Sequence, residues 1–286
     1  IINLYDVICC MGEGEITLRN LVKYLNNEIL LTDIQGIAFR GSRIANQKKV
    51  VYQKRKKLFA LSGSGTPNPE NLAWTLEKKG MIWAEASRGC YWNCTFCGIH
   101  HTKIKSNHWR GRLVEDVVSG MEKMLQSYLQ WKTNNSKFNS FSKELLVLYS
   151  DDDFMGNGNV DEVRNSSGEI IEEADLKRAE EISEGFQSLE KKYGVKVKWG
   201  ISTRADAVYR CTVEEYNQSL GKLESVSVPK WIKIDNNDQK IERKRIWSVL
   251  KENGLTSVFL GIDSGSPGQV KRYGKLLSLV SSENAI

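Results

Sequence analysis

Three cysteines fall within eight residues, Cys90-Tyr91-Trp92-Asn93-Cys94-Thr95-Phe96-Cys97, spaced C-x3-C-x2-C. Closely spaced thiolates on a loop are the usual ligands of iron–sulfur clusters. Three thiolates hold three irons of a [4Fe–4S] cube and leave one iron open, where a substrate or cofactor can coordinate. A structural zinc site instead wants four ligands, normally as two pairs. His100, His101 or His108 could supply the fourth, although no second C-x2-C exists in the chain. A disulfide arrangement would leave one of the three unpaired. The spacing points to a cluster, with zinc as the alternative.

Other residues at the ends of apolar runs could serve such a centre. Ser150-Asp151-Asp152-Asp153 follows the run Leu145–Tyr149 and by itself reads as a solvated acidic turn. Ser202 ends the run Val195–Ser202 and Arg204 follows it, placed to pair with Asp206. Asp263 follows Ser257–Ile262, and the helix start after Ser266 presents free backbone N–H groups.

These residues need a scaffold that brings strand ends together. Met81–Ala86 reads as a strand, and Leu113 to Trp131 as a helix with Val117, Val118, Met121, Met124, Leu125 and Leu129 on one face. Leu145–Tyr149 is wholly apolar, as for a strand buried on both faces of a parallel sheet. Glu172–Tyr193 reads as a charged amphipathic helix, Val195–Ser202 as a strand, and Ile241–Lys251 as largely helical. Ser257–Ile262 reads as another buried strand, with a helix from about Pro267. Four βα units in series fit an open doubly wound sheet or part of a barrel, and either places functional residues at strand C-terminal ends. Residues 132–142 and 221–240 read as insertions. Before this series, residues 1–57 give β–α–β–β, with the turn Gly12-Glu13-Gly14-Glu15 between strand and helix and a hairpin turn at Gly41-Ser42. Residues 58–79, with Ser62-Gly63-Ser64-Gly65-Thr66-Pro67, have linker composition.

The segment Glu85-Ala86-Ser87-Arg88-Gly89-Cys90 through Cys97 strongly resembles the signature of radical S-adenosylmethionine (SAM) enzymes. The resemblance implies a partial (βα)6 barrel with the cluster loop after its first strand, here with four βα units in residues 80–286. It implies that Cys90, Cys94 and Cys97 ligate a [4Fe–4S] cluster and that SAM chelates the open iron. One-electron reduction, from a donor such as flavodoxin or ferredoxin, then splits SAM into methionine and a 5′-deoxyadenosyl radical. Phe96 would lie near the adenine, and Asp152 or Asp153 would hold the SAM amino group, where the family more often has Gly and Glu. Ser202 and Arg204 would reach the SAM carboxylate. Asp263 stands where the family's Gly-x-Glu-Ser-Gly pattern has Glu, one methylene longer.

Gly12, Glu13, Gly14 and Glu15, followed by a helix and a hairpin, resemble the C-terminal end of a Rossmann-like cobalamin-binding domain, which a subclass of these enzymes carries ahead of the barrel. That subclass implies cobalamin as a further cofactor and methylation, or another C–H functionalisation, of a small-molecule or peptide substrate. The absent initiator Met and a start near the last strand of that domain lead us to expect a fragment. A methylthiotransferase-like RNA-modifying enzyme is the alternative, with the basic run Lys48–Lys57 on RNA. Against it, only Cys9 and Cys10 are available where that family carries three further cysteines. We read the basic run as a solvated hairpin edge. A non-catalytic metal-binding module is the remaining reading.

Composition bounds all of these. The 286 residues suggest about two domains. Lys and Arg exceed Asp and Glu by only 6, too little to argue for nucleic acid. No apolar run approaches the ~18 residues of a membrane span, and the N-terminus is not a secretory signal. Six cysteines are too sparse for a disulfide scaffold and suit a reducing, cytoplasmic setting. Cys9, Cys10 and Cys211 read as buried or free thiols, and Trp92 and Trp109 as cover over the cluster.

Overall fold

The computed structural model describes residues 7–40, 50–55, 60–61, 72–78, 81–98, 109–134, 144–219, 232–275 and 277–286. The expectations for His100, His101 and His108, the turn at Gly41-Ser42, and most of the insertions fall outside these. Two compact units result, residues 1–60 with 98–107 and residues 61–97 with 108–286.

In the first unit, strands β1 (Ile8–Cys10), β2 (Ile37–Arg40) and β3 (Val50–Gln53) form an antiparallel sheet in that order. The helix Glu15–Leu25 follows β1 directly. Ile34, Ile37 and Phe39 are its buried core, with Leu21 and Tyr24 packed against them.

The second unit is built on four parallel strands, β4 (Ile82–Ala84), β7 (Glu144–Tyr149), β10 (Lys196–Arg204) and β11 (Leu255–Gly261). They neighbour one another in chain order, and each crossover carries a helix: Val114–Asn134, Asp175–Tyr193 and Asn237–Glu252. A doubly wound sheet reverses its strand order part-way; this order does not, so the sheet is a barrel segment. One large core joins the helices to one face of the sheet. Met121, Leu125, Phe186, Ile246 and Leu250 pack with Val147 and Trp199, all fully buried.

Several expectations are corrected. β7 alternates, with Leu145, Val147 and Tyr149 buried and Leu146 48% exposed, because helices cover only one face of the sheet. β11 is an edge strand rather than a buried one, and Phe259 on it is 72% exposed. On β7 the face away from the helices lines the barrel interior, whereas on β11 Val258 and Phe259, on opposite faces, are both exposed. The helix expected from Glu172 starts at Asp175; Ile170–Glu172 (β9) instead pairs with Val163–Arg164 (β8) in a small hairpin. Residues Leu72–Glu77, within the expected linker, form a helix against Val114–Asn134, with Leu72 in the core. Among the described residues no helix is long and apolar enough to cross a membrane.

Candidate cluster and cofactor site

The cysteine loop begins where β4 ends, and its base is a short antiparallel pair, β5 (Ser87–Arg88) with β6 (Arg110–Gly111). Gly89 turns the chain with φ +84°, a conformation glycine adopts without the Cβ clash of other residues. The end of β7 holds this turn. Asp151 Oδ1 accepts hydrogen bonds from the Ala86 and Ser87 N–H groups, both at 2.9 Å. The Gly89 N–H donates to Asp152 Oδ2 at 3.1 Å. Beside them the half-buried Arg178 donates to the Ala86 and Arg112 carbonyls at 2.8 Å.

The far side of the loop rests on the chain after β11. The Thr95 N–H donates to the Tyr273 carbonyl at 2.8 Å, and its hydroxyl to the Arg272 carbonyl at 3.2 Å. Phe96 meets Tyr273 edge-on, with ring centroids 4.9 Å apart. Trp92 lies under the Arg204 guanidinium, 4.1 Å from ring centroid to Cζ. Tyr91 stacks on Trp109, whose indole N–H donates to the Asp153 carbonyl at 2.6 Å. The loop is thus clamped by three strand ends, and each of its three aromatic rings, Tyr91, Trp92 and Phe96, packs on a residue outside it.

All three loop cysteines are free and half-buried. Burial, with the Asp153 carboxylate nearby, pushes the Cys90 thiol up to about 12. A thiol so raised is a poor free nucleophile, and a bound metal deprotonates it. Among the described residues no three Cys, His, Asp or Glu side chains converge on a single metal ion. A cube differs from a single ion in binding each thiolate through a different iron.

Asp153 is 1% exposed. Its Oδ1 accepts from the Thr203 hydroxyl at 2.8 Å, whereas Oδ2 is buried with no hydrogen-bond donor. A buried carboxylate oxygen without a donor costs stability unless a ligand supplies one. The residues present therefore fit a cluster with a cationic ligand beside it. Burial pushes Asp153 up to about 7, which such a cation would reverse.

The other expected site residues take different places. Arg204 is buried in an ion pair with Asp206 at 2.9 Å and donates to the Lys275 carbonyl at 2.9 Å. Asp152 is spent on the loop backbone. Ser202 shares the interior face with Phe259, its register partner on β11. Asp263 has φ +65° and pairs with the buried Lys275 ammonium, which the sequence reading did not single out. Its only sequence signal is a lysine in a Tyr-Gly-Lys turn after a short helix.

In the first unit, Gly12 has φ +79° and Glu15 opens the helix. Arg55, from the basic run, reaches back to the Glu13 carbonyl and the Thr17 hydroxyl. That run is therefore not wholly a solvated edge. Cys10 is exposed, Cys9 half-buried and Cys211 buried.

No family model matches the sequence. A curated protein does: 4'-phospho-dehydrooxetanocin synthase of Priestia megaterium, 27% identical over 282 residues, covering 98% of this chain and 30% of that protein. A solved structure of the cobalamin-dependent SAM radical enzyme OxsB, with aqua-cobalamin and SAM bound, superposes with TM-score 0.70 at 25% identity, over 99% of this chain and 32% of the other. This solved structure is thus of a cobalamin-dependent SAM radical enzyme. The same enzyme with aqua-cobalamin alone gives TM-score 0.69. The radical SAM likeness thus extends to both units, since the match runs over nearly the whole chain. The chain spans about a third of the length of these relatives.

Proposed function

We propose that this chain carries the cluster-binding and SAM-binding part of a cobalamin-dependent radical SAM enzyme. The observation that carries the reading is the C-x3-C-x2-C loop at the end of the first strand of an in-order barrel segment, beside a buried, donor-free carboxylate oxygen of Asp153. Cys90, Cys94 and Cys97 are the ligands. When bound, the [4Fe–4S] cluster and SAM supply a one-electron reductive cleavage that generates a hydrogen-abstracting carbon radical.

The chain's own residues orient and shield. Asp153 Oδ2 accepts from the SAM amino group, a charge-assisted bond in a dry setting. Ser202, on the interior face, reaches the carboxylate, and Arg204 acts through Trp92 and Asp206 to hold the loop. Phe96 and Tyr273 frame the adenine. Tyr91 and Trp109 keep water from the thiols on the other side. The Gly12–Glu15 turn faces cobalamin, as the aqua-cobalamin held by the OxsB structures supports. The reaction is methylation or another C–H functionalisation. The curated relative's name favours a small-molecule substrate over a peptide.

Anaerobic reconstitution is expected to give a brown protein with about four irons. Reduction should then convert SAM to 5′-deoxyadenosine and methionine, and Cys94→Ala should abolish this. A colourless, zinc-containing protein would overturn the proposal.

A further inference from the structure

Lys275 is a buried cation that no step above uses. It is 4% exposed, although lysine is almost never fully buried unless paired. Its partner is Asp263, whose side chain is 34% exposed. The residues around it form the wall of the cysteine loop. Arg272 and Tyr273 accept hydrogen bonds from Thr95. A Cβ at Gly274 would lie 3.5 Å from the Thr95 methyl and 3.8 Å from the Asn93 carbonyl. The Lys275 carbonyl accepts from Arg204, the residue stacked on Trp92. Its ammonium lies 3.6 Å from where a Gly261 Cβ would stand, at the end of β11. Burial pushes the Lys275 ammonium down, helped by Arg204, while Cys94, Asp206 and Cys90 pull the other way. The side chain thus leaves a backbone segment, residues 272–275, that itself contacts the cysteine loop through Thr95.

We propose that Lys275 is a positioning residue that sets the reduction potential of the centre held by Cys90, Cys94 and Cys97. The inference rests on the cluster reading above. Each added electron makes a thiolate-ligated cluster more negative, so a fixed cation in a low-dielectric wall favours the reduced state. The Asp263 carboxylate does not cancel this. It stands partly in solvent, where its field is screened, whereas the ammonium is enclosed.

The test is an EPR-monitored titration with dithionite of the reconstituted holoprotein, with iron content and circular dichroism measured alongside. Lys275→Gln should hold the same iron but about tenfold less reduced cluster at a fixed poise, equal to ~59 mV for a one-electron couple. Lys275→Arg should restore most of the shift. Asp263→Asn should move the potential the opposite way, a reversal that a merely structural role would not produce. If Lys275→Gln does not hold its iron, Lys275→Arg and Asp263→Asn decide. Equal potentials in wild type and every cluster-bearing variant would overturn the inference while leaving the cluster reading intact. A wild type that takes up no iron would instead overturn the cluster reading.

Discussion

Asp151 and Asp153 stand two residues apart at the end of β7, and each leaves one buried carboxylate oxygen without a donor. They differ in what the other oxygen does. Asp151 serves the backbone at the root of the cysteine loop, and Asp153 meets Thr203 across the strand ends. Burial outweighs the two backbone N–H donors and pushes Asp151 up to about 7, against about 3.9 in an unfolded chain. Between about pH 4 and pH 7 the folded chain therefore holds a proton that the unfolded chain has lost, so this group's contribution to stability falls as pH rises through that window. In cluster-free protein, Asp151→Asn keeps the oxygen acceptor and removes the titration. The melting temperature of the variant relative to wild type is expected to climb as pH goes from about 5 to about 8. A difference independent of pH would show that Asp151 does not titrate there. The acidic turn was legible in the sequence as a place for carboxylates. Which of the three would be buried was not, because that depends on Ala86, Ser87 and Thr203, all at least 50 residues away in sequence.

At the scale of elements, the loop works because three strand ends agree on its position. The β5–β6 pair fixes its base, the end of β7 fixes its first turn, and the residues after β11 fix its far side. The crossover helices were legible from their 3.6-residue apolar period, and the strands from their apolar runs. The faces of those strands were misread. An apolar run looks the same whether its second face meets helices or a barrel interior, and Leu146 shows that it meets the interior on β7. The clamps on the loop were invisible too, since Thr95 with Tyr273 and Gly89 with Asp152 have no periodic signature. Gly89 tests the arrangement. An alanine at φ +84° costs about 1–2 kcal/mol in that left-handed geometry and tilts the N–H given to Asp152. Gly89→Ala should leave far-UV circular dichroism unchanged and lower the iron retained after reconstitution and desalting. Full iron retention would mean that the turn does not need this backbone.

Across the molecule, the strand ends share a web of buried guanidinium groups that a sequence reading assigns to solvent, because arginine is mostly exposed in folded proteins. Arg210 reaches Asn157, Asn159 and Asp206; Arg204 joins Asp206 to Lys275. Arg243 does the widest work. It rises from the helix Asn237–Glu252 and pairs at 2.7 Å with Asp235, both nearly fully enclosed. It also donates at 2.8 Å to the carbonyls of Gly158, after β7, and Ala207, after β10. One side chain thus ties the loops of two barrel strands to the segment entering the third crossover helix. Removing the cation leaves the Asp235 carboxylate buried without its partner, which typically costs 3–5 kcal/mol or roughly that. Arg243→Met should therefore lose about 3–5 kcal/mol in urea unfolding, and Arg243→Met with Asp235→Leu should recover part of it, since the unpaired charge is gone. The recovery should be incomplete, because the Gly158 carbonyl still lacks the Arg243 donor and the Ala207 carbonyl keeps only the Trp247 indole N–H. Equal losses in the single and double variants would mean that the carbonyl contacts, not the ion pair, carry the energy. A loss below about 1 kcal/mol in the single variant would remove Arg243 from the scaffold that holds the site together.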